Sequence, residues 1–136
     1  LGECFIGDIP TFAKTDADEA REEAELMAWV RSLPEPVSGE MEALYREMIA
    51  LETPEAKLYK AMDKLEAIVQ HNESDIATWE PHEYQLNMTY ADDAVAWSPV
   101  LRELREAIRN DTKAKIAAAE RRAETAAPLI DRSVRF

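Results

Sequence analysis

The sequence predicts an all-α fold, on three observations. Glycine occurs only three times in 136 residues while 46% are hydrophobic and 32% charged, a composition suited to packed helices joined by short loops rather than to a β-sandwich or a disordered segment. Apolar residues recur at helical spacing in several separate stretches. A hydroxyl residue is twice followed directly by proline, at Thr53-Pro54 and Ser98-Pro99, the pair that caps a helix and then fills its first position.

Taken in order, residues 1–14 read as a fixed turn, with Gly7, Asp8 and Pro10 breaking an apolar stretch. A helix is expected from Thr15 or Asp16, whose side chains can hold free N–H groups, and its acidic first turn suits the positive end of the helix dipole. Ala20, Ala24, Met27, Val30 and Leu33 repeat along it until Pro34 and Pro36 stop it. Ser38 is the expected cap of a second helix, over 39–51, in which Met41, Leu44, Tyr45, Met48 and Leu51 form the apolar stripe.

Thr53-Pro54-Glu55 opens a third helix expected to reach Asn72. Leu58, Met62, Leu65, Val69 and Asn72 line one face, with Ala61 and Ile68 beside them, while Ala56, Tyr59, Asp63, Ala67 and Gln70 line the opposite one. Small residues and a tyrosine around a lone aspartate suggest a helix covered on both sides, with Asp63 facing inward. An ordinary outer face carrying Asp63 and Lys60 into water fits the periodicity equally well, because aspartate is usually exposed. Trp79, Tyr84, Tyr90 and Trp97 spread across a region broken by Pro81, where short helices over 81–88 and 90–96 are expected. From Ser98-Pro99 a further helix carries Val100, Leu101, Leu104 and Ile108, and beyond Thr112 the chain becomes an Ala-rich helical stretch with a basic tail. Residues 1–112 hold 10 basic and 25 acidic side chains, whereas 113–136 hold six and three. The organisation read from this is one domain over 1–112 and a helical extension with its tail over 113–136.

Sixteen Lys and Arg against 28 Asp and Glu give a net charge of −12, which repels a phosphate backbone and argues against nucleic-acid polymers as partners. The single cysteine, Cys4, excludes an intrachain disulfide framework and is read as a small buried side chain. No apolar run long enough to span a membrane and no leader is seen, so a cytoplasmic protein is expected. The chain opens on Leu1, in an apolar stretch and without Met, which suggests that residues precede it.

No HExxH spacing, EF-hand loop, Gly-rich phosphate loop or nucleophile elbow occurs, and His71 and His82 are read as surface or helix-end residues. His71 lies eight residues after Asp63, about 12 Å along a helix, too far to share one ion with it. What remains is hard-acid chemistry, in which carboxylates hold a divalent cation beside a phosphate.

Leu1-Gly2-Glu3-Cys4-Phe5-Ile6-Gly7-Asp8-Ile9-Pro10 resembles the segment that follows the His-Asp pair of HD-domain phosphohydrolases similar to 5′-deoxynucleotidases, where Glu and then Gly-Asp-hydrophobic-Pro come next. Arg21-Glu22-Glu23-Ala24 extends the likeness, as do Glu55-Ala56-Lys57-Leu58 and Met62-Asp63-Lys64-Leu65-Glu66, in order, up to about residue 112. The resemblance implies an all-α HD-domain bundle lacking its first helices, in which two His and two Asp bind a divalent cation such as Mn, Co, Mg or Zn. It implies that Asp63 is the last metal ligand, that Glu3 orients or deprotonates the attacking water, and that Asp8 assists at the leaving oxygen or braces the site. Asp8 as a turn aspartate and Glu3 as a solvated charge are the alternatives. Lys14 is a candidate for the substrate phosphate, with a solvated lysine as its alternative. The activity implied is metal-dependent hydrolysis of nucleoside 5′-monophosphates by an intact parent, as a homodimer. The upstream His and the His-Asp pair are absent from this sequence, so the chain alone is expected to be inactive, with the face around Tyr59, Ala67 and Gln70 exposed. Two other readings are a non-catalytic helical interaction module on the same scaffold and an HD-type nucleotide pyrophosphohydrolase.

Overall fold

Thr15 starts the first helix as its side chain requires. The computed structural model describes residues 14–126 together with Cys4 and Gly7, and in it the Thr15 hydroxyl accepts from the Asp18 N–H at 3.3 Å while the Asp18 carboxylate accepts from the Thr15 N–H at 3.0 Å. This reciprocal box satisfies two donors that the first turn leaves free. Helix α1 then runs Asp16–Arg31, and α2 runs Val37–Ala50 antiparallel to it after a short proline-bounded connection. Only Met27 and Val30 of the expected α1 stripe are buried; Ala20 and Ala24 are exposed, and so is Leu44 on α2. Two helices present one contact line to each other, narrower than the full apolar stripe.

Ser38 does not cap α2. The helix begins one residue earlier, Ser38 is buried within its first turn, and the Glu35 carboxylate accepts from the Gly39 N–H instead, at 3.3 Å. A longer side chain reaching forward from the connection serves the same free donor that a hydroxyl would. Arg31, at the end of α1, donates to Glu42 on α2 at 2.9 Å, and Arg46 donates to the same carboxylate at 2.5 Å. The α2 C-terminus closes on Leu51 in the left-handed region, φ 52°. Gly7, at φ 87°, stands where a residue without Cβ is favoured, while the rest of the expected opening turn lies outside the described residues. Cys4 is exposed rather than buried, with a free thiol.

The chain divides into two compact units between Ala56 and Lys57, inside the first turn of α3. Helix α3 runs Pro54–Glu73, opened by Thr53, whose hydroxyl accepts from the Ala56 N–H at 3.2 Å. A 3-10 turn follows at Ile76–Thr78, then α4 at Glu83–Thr89, α5 at Asp92–Val95 and α6 at Pro99–Ala126. Ser98 holds the Leu101 N–H at 3.4 Å, so the second Ser/Thr-Pro signal works as the first does. The Ala-rich stretch continues α6 without a break, giving 28 residues, about 42 Å at 1.5 Å per residue.

The core of the second unit gathers Ala61, Leu65 and Ile68 of α3, Ala91 and Val95 around α5, and Leu101 and Ile108 of α6, with Val69, Tyr90 and Ala94 packed against it. Leu58, Met62, Val100 and Leu104, expected inside, stay largely exposed. The buried line of α6 runs Leu101, Arg105, Ile108, Thr112 instead. These positions step by four, three and four, so they form one face, and two of the four are polar. Among the described residues there is no strand, and no helix is long and apolar enough to cross a membrane.

Candidate functional site

Asp63 sits midway along α3, on the face that also carries Tyr59 and Gln70. Its side chain is 57% exposed and its Oδ2 lies 3.9 Å from Lys60 Nζ, one helical turn before it. Of the two readings that periodicity leaves open, the exposed one is what the structure shows. Gln70 is exposed too and donates to Glu66, while Ala67 is half-buried. Leu65 and Ile68 point the other way into the core, and the face that carries Asp63 is covered at Ala56 and exposed at Asp63 itself.

Among the described residues no three His, Cys, Asp or Glu side chains come together as a cation site. Asp63 has a lysine as its charged neighbour, which opposes a cation on the same carboxylate. The residues described here therefore do not by themselves fit a bound metal ion. Glu3 and Asp8 lie outside the described residues. Lys14, the candidate for a phosphate, is half-buried and paired with Glu22 at 2.5 Å.

His71 stands eight residues beyond Asp63 on α3. His71 Nδ1 lies 2.9 Å from Asn87 Oδ1, and Nε2 lies 3.4 Å from Glu83 Oε1. The Trp79 indole donates to the His71 carbonyl at 3.0 Å and to Ser74 Oγ at 3.2 Å, and its ring meets Tyr84 edge-on with centroids 5.3 Å apart. His71 is thus a partly buried tie between α3 and α4, where its position near a helix end pointed to solvent.

The charged group that sequence reasoning missed is Arg105, 2% exposed on the inner face of α6. Its Nε donates to the Tyr90 carbonyl at 2.9 Å and stands 3.0 Å from Asp92 Oδ1, while Nη2 donates to the Asn87 carbonyl at 3.0 Å. Burial holds its pKa below the usual arginine value, and the Asp92 charge works against that shift. Arg109 adds a hydrogen bond to the Met88 carbonyl at 3.0 Å and meets the same Asp92 oxygen at 2.5 Å. These arginines staple α4 and α5 to α6; the spacing of Arg105, four residues after Leu101 and three before Ile108, puts it on the apolar stripe, but its residue type pointed to solvent.

The sequence profile of the HD domain family matches residues 1–105 of this chain. The 5′-deoxynucleotidase HDDC2 of Danio rerio is 33% identical over 87 residues, which cover 62% of this chain and 44% of that protein. The chain thus spans less than half the length of that curated relative. No solved structure gives a match.

Proposed function

The chain belongs to the HD domain family, and from that premise we propose that it falls in the 5′-deoxynucleotidase-like branch and is part of a cytoplasmic, metal-dependent phosphomonoesterase that hydrolyses nucleoside 5′-monophosphates. The observation that carries this reading is the family match over residues 1–105, which contains the three ordered motifs around Glu3, Arg21 and Asp63. The name of the Danio rerio relative supports the choice of substrate class. In this reading Asp63 is the ligand this chain offers to a divalent cation, Glu3 takes the proton of the attacking water, Asp8 serves the leaving oxygen, and Lys14 turns from Glu22 to the substrate phosphate. The domain ends near residue 112, and residues 113–136 extend it.

An exposed carboxylate is a reasonable place for such a ligand, because a cation can reach it without displacing packed side chains. One carboxylate beside one lysine holds a cation weakly, so the chain by itself is inactive in this reading and gains activity in a longer protein that supplies the other ligands. The test begins with the intact mass of the natively expressed protein, and continues with release of phosphate from deoxynucleoside 5′-monophosphates by that species in Mn, Co, Mg or Zn. Activity in the longer species, lost in Asp63→Ala, is the expected result. Full metal-dependent activity in the chain of 136 residues, or activity that survives Asp63→Ala, overturns it.

A further inference from the structure

The side of the second unit opposite α4 and α5 carries an apolar groove that the reading above does not use. On α3, Lys64 reaches Asp93 at 3.1 Å and the ring of Tyr90, while His71 faces Asn87. On α6, Arg102 donates to the Ala96 carbonyl, Arg105 to those of Tyr90 and Asn87, and Arg109 to that of Met88. Going from 64 to 71 and from 102 to 109, both helices pass the α5–α4 segment from its C-terminal to its N-terminal end. They therefore run in the same direction, each with one flank against that segment.

Their other flanks face away from it together. At about 100° of rotation per residue, Leu58, Met62 and Val69 fall on the flank of α3 opposite Lys64 and His71. Val100 and Leu104 fall on the flank of α6 opposite Arg102 and Arg109. Between the two flanks lie Leu65, Leu101 and Ile108 of the shared core. Leu58 is 45% exposed, Met62 46%, Leu104 40% and Val100 72%, so four large apolar side chains meet water along one strip, a surface that marks an interaction site more often than an ordinary face.

Charge decides what fits there. Glu66 borders the strip on α3, and Glu103 and Asp111 border it on α6, all three exposed. No lysine or arginine stands on these flanks over 58–69 or 100–111, and Lys115, the next cation along α6, is turned onto the Asn72 carbonyl at 3.0 Å. A second copy of this chain would bring two acidic rims and two net charges of −12 together. An anionic lipid surface or a nucleic acid meets the same repulsion. An amphipathic helix seats its apolar residues at intervals of three and four in such a groove, and Lys or Arg beside its stripe would pair with the rim.

We propose that the groove between α3 and α6 is a docking site for a partner protein's amphipathic helix whose apolar stripe is flanked by lysine and arginine. The probe is a fluorescein-labelled helical peptide with leucine at intervals of three and four and lysine elsewhere, titrated by anisotropy against the full chain, with a leucine and glutamate peptide as control. The lysine peptide binds saturably at one per chain, and it protects amides of 58–69 and 97–111 from hydrogen exchange. Met62→Ser with Val100→Ser, both at exposed positions and checked for native circular dichroism, weakens binding about tenfold. Glu103→Lys with Asp111→Lys shifts preference towards the glutamate peptide. Failure to bind, binding that neither pair of substitutions alters, or protection elsewhere overturns the proposal. A dimer in light scattering that dissociates on Met62→Ser with Val100→Ser overturns it in favour of a second copy.

Discussion

Arg105 Nε lies 3.0 Å from Asp92 Oδ1 with the whole arginine side chain buried, so a cation is held in the interior of the second unit by one carboxylate and two backbone carbonyls. Removing the guanidinium leaves the Tyr90 and Asn87 carbonyls without that donor, at a cost of about 1–3 kcal/mol each, while Asp92 keeps Arg109. Arg105→Ala therefore destabilises the protein strongly, seen as a lower urea midpoint at unchanged slope. Arg105→Lys recovers little of it, because a single ammonium cannot serve Asp92, Tyr90 and Asn87 as a planar guanidinium does. Asp92→Asn is milder, since Asp92 is 44% exposed and water replaces part of what it loses. A variant ranking with Asp92→Asn worse than Arg105→Ala would contradict this account.

Thr112 is fully buried on the same face, and its hydroxyl donates to Asn72 Oδ1 at 2.9 Å. The Asn72 amide in turn donates to the Ile108 carbonyl at 3.1 Å, and Lys115 donates to the Asn72 carbonyl at 3.0 Å. Thr112→Val keeps the shape but leaves Asn72 Oδ1 without that donor, an expected loss of about 1–2 kcal/mol. A double-mutant cycle with Asn72→Ala should show that the two losses do not add. Additive losses would mean that the Thr112 hydroxyl is satisfied elsewhere.

In the first unit, the hydrogen bonds from Arg31 and Arg46 hold the Glu42 carboxyl down at about 2, against an ordinary 4.5. A carboxyl whose folded pKa lies below its unfolded value contributes stability that is present above the unfolded value and lost as pH falls through the folded one. The contribution of Glu42 is thus complete near neutrality and fades from about pH 4.5 towards about pH 2. Melting temperatures of the wild type and Glu42→Gln should differ near neutral pH and converge at the acid end of that range. A difference that persists unchanged at the acid end would assign the effect to packing rather than to charge.

Local rules carried most of the element boundaries. The Thr15 box, the Thr53-Pro54 start and the Ser98-Pro99 start each rest on a hydroxyl and a free N–H three residues away, so a short stretch of sequence contains the whole interaction. Burial was less legible. Leu58, Met62 and Val100 are as apolar as Leu65 and Leu101, and which of them is covered depends on where a distant helix lies. Arg105 reverses the usual rule for its type because the carbonyls of Asn87 and Tyr90 happen to need donors, a demand that arises only after α4 and the turn into α5 have formed. The family likeness was legible in three short motifs, whereas the surroundings of Asp63 were not, because one aspartate among alanines fits a covered face and an open face equally.

Asp63 supplies the last prediction, which separates chemistry from folding. Its carboxylate is mostly solvated and its charged neighbour Lys60 stands 3.9 Å away, a surface pair of the kind worth little. Asp63→Ala is accordingly expected to change the stability of this chain by no more than about 0.5 kcal/mol, as substitutions at open surface positions do. In the longer species the same substitution should abolish metal-dependent phosphate release while leaving its fold intact by circular dichroism. That combination assigns the residue to the reaction, because a carboxylate that the fold does not need has no other reason to be indispensable. A large drop in melting temperature of the chain on Asp63→Ala would instead mean that the carboxylate supports the helix it stands on, and lost activity could then no longer be read as lost chemistry.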